Sequence, residues 1–170
     1  MARNKLVGLV FEAWNDLDRV LLDVQPDQAV RQVDGQSAFA WTLAHVTQQV
    51  DSWINVNFRR QRPHPLISAE RFRTGSSGAG DDWPSVQAGV REVRASAGPF
   101  LRSLEEDDLN QAVPYTGSLM VLREHGVLSL RYALLRIAAH HYFHIGVVAS
   151  QRDRLGQEVG DYPGALAECL

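Results

Sequence analysis

Leu128 to Gly156 read LSLRYALLRIAAHHYFHIGVVASQRDRLG. The stretch has no proline, is apolar through its first two thirds and ends at glycine, a favoured helix terminator, so it predicts one long, largely buried helix. At about 100° per residue, His140 and His144 fall one turn apart on a face shared with Ala133, Ile137, Val147, Gln151 and Leu155. Two imidazoles on a core-facing stripe cost free energy unless they are hydrogen-bonded or held by a metal. A histidine pair at i and i+4 can chelate one ion if a further donor arrives from another element. Three protein ligands with a remaining position open make a catalytic rather than a closed structural site, and imidazoles suit zinc, nickel, iron or copper. His141 points roughly 100° from His140 and is the less natural partner.

Three further helices precede this one. Over residues 3–24, Leu6, Leu9, Val10, Ala13, Leu17, Val20, Leu21 and Val24 recur at spacings of three and four, with Pro26 as the stop. Residues 25–36 form a connector with turn chemistry at Asp34-Gly35-Gln36, and Ser37 is placed to cap the next helix. That helix, Ala38 to Arg60, carries a main stripe of Phe39, Leu43, Val46, Val50 and Ile54. His45 lies off it, on a mixed second face with Ala38, Trp41, Ser52 and Val56. Periodicity leaves His45 either a surface residue or a pocket residue. Residues 61–82, rich in proline at one end and in glycine and serine at the other, read as a mobile loop, either a tolerated connection or a lid, with His64 in solvent. Asp82 can cap a third helix with Pro84 in its first turn, and Pro99 should bend or interrupt it. Glu105-Glu106-Asp107-Asp108 reads as a solvated cap. Residues 113–116 and 119–122 fit two short extended pieces about a turn, with a long coil as the alternative, and Glu124 and His125 are placed to approach the start of the last helix.

With 170 residues, one domain over 1–170 with one core is expected. A net charge of −3 offers no electrostatic case for nucleic acid or an anionic membrane. The N-terminal residues lack an uninterrupted apolar core, and no run approaches the roughly 18 apolar residues of a membrane span. The single cysteine, Cys169, precludes an internal disulfide and fits a reducing, cytoplasmic setting. HExxH, Walker A and GxGxxG patterns are absent. Bundles offer self-complementary helix faces, so a homodimer is expected.

Two segments carry a family resemblance. Gln36-Ser37-Ala38-Phe39-Ala40-Trp41-Thr42-Leu43-Ala44-His45 resembles the second-helix segment of the DinB/YfiT-like superfamily, and His140-His141-Tyr142-Phe143-His144-Ile145-Gly146 resembles its HxxxHxG segment on the last helix. The resemblance covers nearly the whole chain. It implies an all-α four-helix bundle with a crossover segment before the last helix, and a triad of His45, His140 and His144 on one divalent metal ion such as zinc, nickel or iron. Val147 stands where many members have glutamine, which alters the polarity around the ligands but not the ligand set. Characterised relatives include transferases and isomerases that use low-molecular-weight thiols such as bacillithiol or mycothiol. The resemblance therefore implies a thiol-dependent S-transferase acting on a small-molecule substrate, with a metal-dependent hydrolase or a non-enzymatic ligand-binding or dimeric bundle as alternatives. By helical phase, Trp41, Ser52, Arg136 and Gln151 are further candidates for pocket groups.

Overall fold

The structure, a computed structural model, describes residues 4–157 and 159. Cys169 and most of the tail after Gly156, which reads as coil or a short helical turn lying over the bundle, lie outside the described residues. The elements are α1 (Lys5–Val20), α2 (Pro26–Ala29), α3 (Phe39–Val50), a π-helical continuation of α3 (Asp51–Phe58), α4 (Trp83–Ser103), β1 (Ala112–Pro114), α5 (Met120–His125), β2 (Val127–Ser129) and α6 (Leu130–Arg154). The four long helices, α1, α3, α4 and α6, make the expected all-α bundle. α1 lies along α6, and α3 packs on both α4 and α6. Leu17, Ile54, Leu101, Leu134 and Ile137 meet in the core with no exposed surface, each burial favouring the fold by about 1.5–3 kcal/mol. Among the described residues, no helix is long and apolar enough to cross a membrane.

α1 starts where Asn4 Oδ1 accepts from the backbone N–H groups of Leu6 and Val7. It ends at Val20, before the proline. Leu21 and Val24 remain buried, so the apolar period runs on after the backbone has left the helix at Asp23, whose φ is +62°. Arg152 of α6 donates to the carbonyls of Val20 and Leu22, both at 2.9 Å, and so satisfies the helix end that the turn exposes. Tyr142 donates to buried Asp16 along the same seam. Across the bundle, Arg94 of α4 reaches both carboxylate oxygens of Asp18 at 2.8 Å while lying over the ring of Trp14.

Asp82 caps α4 by accepting from Ser85 N, with Pro84 in the first turn, as its position implies. The expected interruption at Pro99 does not occur: α4 runs through it. The carbonyl that Pro99 leaves without a donor belongs to Ala95, an exposed residue on the solvent side of the helix. The cap of α3 is Ala38, not Ser37, and it makes no side-chain cap bond. The acidic run is solvated, with Glu106 pairing Arg131 on α6. The extended pieces are only half as expected. β1 overlaps the first, but 119–122 enter α5, and β1 pairs antiparallel with β2 in the register Ala112↔Ser129, Val113↔Leu128 and Pro114↔Val127. This excursion is the crossover that returns the chain to the start of α6.

The largest departure concerns residues 61–82, which are not a floppy connection. Ile67 and Phe72 are fully buried, and the segment is stitched to α3. Asp51, only 2% exposed, accepts from His64 N at 2.8 Å, Ser68 Oγ at 2.7 Å and Asn55 Nδ2 at 3.2 Å. His64 is correspondingly not in solvent. Its Nδ1 accepts from Ile67 N and its Nε2 meets Glu92 at 3.0 Å. Asp51→Ala leaves those buried donors unpaired and is expected to destabilise the fold by about 2–3 kcal/mol, measured as a lowered urea midpoint with an unchanged slope.

Candidate metal centre

Trp41, His45 and Gln48 occupy one face of α3 at i, i+4 and i+7, and all three side chains donate to backbone carbonyls of the loop. Trp41 Nε1 reaches Arg71 O at 2.7 Å, His45 Nδ1 reaches Phe72 O at 2.7 Å, and Gln48 Nε2 reaches Ile67 O and Ala69 O at 2.9 and 3.0 Å. The mixed second face of α3 is therefore buried beneath the loop, and His45 is 8% exposed rather than a surface residue. A carbonyl can only accept, so His45 Nδ1 carries the proton and Nε2 is left as a lone pair. Trp41 stacks on the imidazole at 4.4 Å and 13° and holds its plane.

α6 brings His140 and His144 to the same point. Ring centroids lie 4.9 Å apart for His45–His140, 5.1 Å for His45–His144 and 4.7 Å for His140–His144. One donor nitrogen from each residue lies within 4.8 Å of the others, so the three can hold one metal ion. Gln49 Oε1 accepts from His140 Nδ1 at 3.1 Å, which again leaves Nε2 as the free lone pair. His140 Nε2 and His144 Nε2 are 3.1 Å apart. Two lone pairs do not face each other at that distance without a proton or a cation between them. Nitrogens bound to one tetrahedral ion at about 2.0–2.1 Å are separated by about 3.4 Å, close to the spacing seen. The residues present fit a divalent ion: three neutral donors, two with fixed tautomers, and no carboxylate in the cluster.

Burial pushes all three imidazoles below the ordinary histidine value of 6.5. His140 falls to about 2, through burial and then the neighbouring His144 and His45; His144 falls to about 4, through burial and then His45; His45 moves in the same direction through burial. His141 is fully buried elsewhere in the α6 interface, bonded to Ile137 O at 2.8 Å, and burial pushes it to about 3. It does not join the triad.

The histidines floor a cleft of about 480 Å³ walled by Trp41, Arg136 and Phe143, with Ser37, Thr74 and Gly75 at its rim. That is a volume suited to a small molecule. Of the four pocket candidates, Trp41 and Arg136 line this cleft. Gln151 instead ties α6 to Ser37 O at 3.1 Å and borders a separate hollow of about 280 Å³ together with Val147 and Gly146. Ser52 is absent from both linings; it stands seven residues beyond His45, about 10 Å farther along the helix axis. Glu124 and His125 are exposed on α5, away from the cluster. Periodicity missed Gln49 and the Phe72 carbonyl. Adjacent glutamines inside an apolar helix were the available sign of the first; a backbone carbonyl leaves no sign at all.

A family model described as the DinB superfamily matches residues 11–148, a span that contains all three histidines. The chain belongs to the DinB superfamily. No curated protein and no solved structure matches it.

Two outcomes follow for this DinB-superfamily chain. Unfolded histidines take up protons near pH 6.5, whereas the folded ones stay neutral. Their contribution to stability is thus complete above pH 6.5 and is lost progressively as pH falls toward about 4 and below. Urea midpoints of metal-free protein should decline steadily from pH 7 to 4.5. Gln49→Leu, which removes the acceptor orienting His140, should weaken zinc binding by about 10- to 100-fold in a competition titration without loss of helical signal.

Proposed function

We propose that this chain is one DinB-like domain and a metal-dependent enzyme, a thiol-dependent S-transferase in which His45, His140 and His144 hold a single divalent metal ion. The reading is carried by one observation: three neutral imidazoles from α3 and α6 converge at the floor of a cleft sized for a small molecule. A divalent ion at that point supplies Lewis acidity that brings a bound thiol or water toward ionisation near neutral pH.

The chain's own residues do the positioning. The Phe72 carbonyl and the Gln49 amide oxygen set the tautomers and aims of His45 and His140, so their Nε2 atoms are available as donors. No fourth His, Cys, Asp or Glu joins the cluster among the described residues, which leaves room for an incoming ligand. Trp41 and Phe143 offer aromatic surface to the body of a substrate and keep water from it. Zinc, nickel and iron all suit imidazole donors. A cytoplasmic setting, where low-molecular-weight thiols stay reduced, belongs to the same reading, as does a homodimer, which solution mass measurement tests.

Elemental analysis of untreated protein should find one metal ion per chain, and His45→Ala, His140→Ala or His144→Ala should each abolish stoichiometric binding. The loaded protein should conjugate monobromobimane with bacillithiol, mycothiol or glutathione faster than the three variants do. Metal bound without turnover of any thiol would sink the transferase reading, and turnover that needs no thiol would point to hydrolysis.

A further inference from the structure

Arg136 is an exposed residue of α6. Several arginines are committed, Arg19, Arg71, Arg94 and Arg131 to carboxylates, Arg59 and Arg152 to backbone carbonyls, and Arg102 to the ring of Phe11, whereas Arg60, Arg62, Arg91, Arg123 and Arg154 are exposed and, unlike Arg136, border no cleft with the histidines. Among the described residues Arg136 meets no carboxylate, carbonyl or aromatic ring. It stands one turn before His140 on the same strip of α6, so Arg136, His140 and His144 follow one another at i, i+4 and i+8, each step rising about 6 Å along the helix. Arg136 is exposed and lines the cleft that the histidines floor, near enough for its charge to disfavour a proton on His140.

The charge balance of the cleft points one way. No aspartate or glutamate lines it, and Arg136 is its one permanently charged side chain among the described residues. The three imidazoles are neutral, so a divalent ion on them would add to the positive field rather than be cancelled by its ligands. A neutral substrate gains nothing from that field, whereas an anion is drawn by both ends of it. The planar guanidinium fork matches a carboxylate, which it can bind through two parallel N–H···O bonds. Trp41 and Phe143 line the same cleft as apolar walls for a short carbon chain.

We propose that Arg136 is a substrate-binding residue, and that the site takes a small carboxylate-bearing molecule whose carboxylate pairs with Arg136 while its reactive atom lies at His45, His140 and His144. This assignment rests on the metal-centre reading above and adds the class of substrate to it.

The test uses protein loaded with cobalt(II), whose thiolate charge-transfer absorption reports sulfur binding directly. Wild type and Arg136→Gln are titrated with β-mercaptopropionate and with its neutral amide. Wild type should bind the acid about tenfold or more tightly than the amide. Arg136→Gln should lose that preference while keeping its cobalt stoichiometry and its affinity for the amide, and Arg136→Lys should retain part of it. Equal binding of acid and amide by wild type, or a preference that survives in Arg136→Gln, would overturn the Arg136 assignment and leave the metal centre standing. No cobalt uptake would overturn both, and cobalt uptake without a thiolate band from either thiol would overturn the substrate assignment while leaving the metal centre standing.

Discussion

Everything at the site depends on four loop carbonyls having donors. A segment from residue 61 to 82 that buries Ile67 and Phe72 must also bury backbone oxygens, and each must be hydrogen-bonded or cost free energy. α3 supplies the donors from one face: Trp41, His45 and Gln48. The same bonds that hold the loop down aim His45. An imidazole that would otherwise rotate is fixed in tautomer by Phe72 and in plane by Trp41. Asp51, one turn beyond Gln48, completes the docking by gathering the loop's earlier part through His64 and Ser68.

A fold optimised for stability alone would not bury His45 and His141 and half-bury His140 and His144. Each holds its neutral form against water that would accept its charge, and each therefore lowers stability in acid. For the three at the cleft, the convergence explains the burden: neutral, oriented imidazoles are what a cation needs, and charged ones would repel it. His141 is different. It bonds to the helix carbonyl of Ile137 and packs where α6 meets its neighbours, so adjacency in sequence to His140 says nothing of a shared role. The two side chains leave the helix about 100° apart and enter different environments.

Much of the fold was legible because helical periodicity is a local property. α6 appears where LSLRYALLRIAAHHYFHIGVVASQRDRLG places it, and Asp82 with Pro84 starts α4 as cap and first-turn residues should. Failures occur where a distant contact overrides the local pattern. α1 ends at Val20 although the apolar spacing continues to Val24, because Arg152 from the far end of the chain takes the carbonyls that the turn frees. β1 pairs with Val127–Ser129 rather than with 119–122, since those residues wind into α5 once Gly126 at φ +72° can close it. The loop departs from its composition for the same reason: proline, glycine and serine content describes an unanchored chain, and the anchors lie on α3.

By itself, the sequence determined the number and order of the long helices and the placing of His140 and His144 on one strip of α6, because 3.6 residues per turn is a property of the backbone. It also carried the family, through two segments whose residue types and spacing are specific. Only the tertiary structure decided that His45 is buried, that Gln49 and the Phe72 carbonyl orient the histidines, and that Arg136 rather than Ser52 or Gln151 lines the cleft beside them. Those outcomes depend on how two helices cross and on where a loop settles, and neither distance along the chain nor helical phase encodes which surfaces will meet.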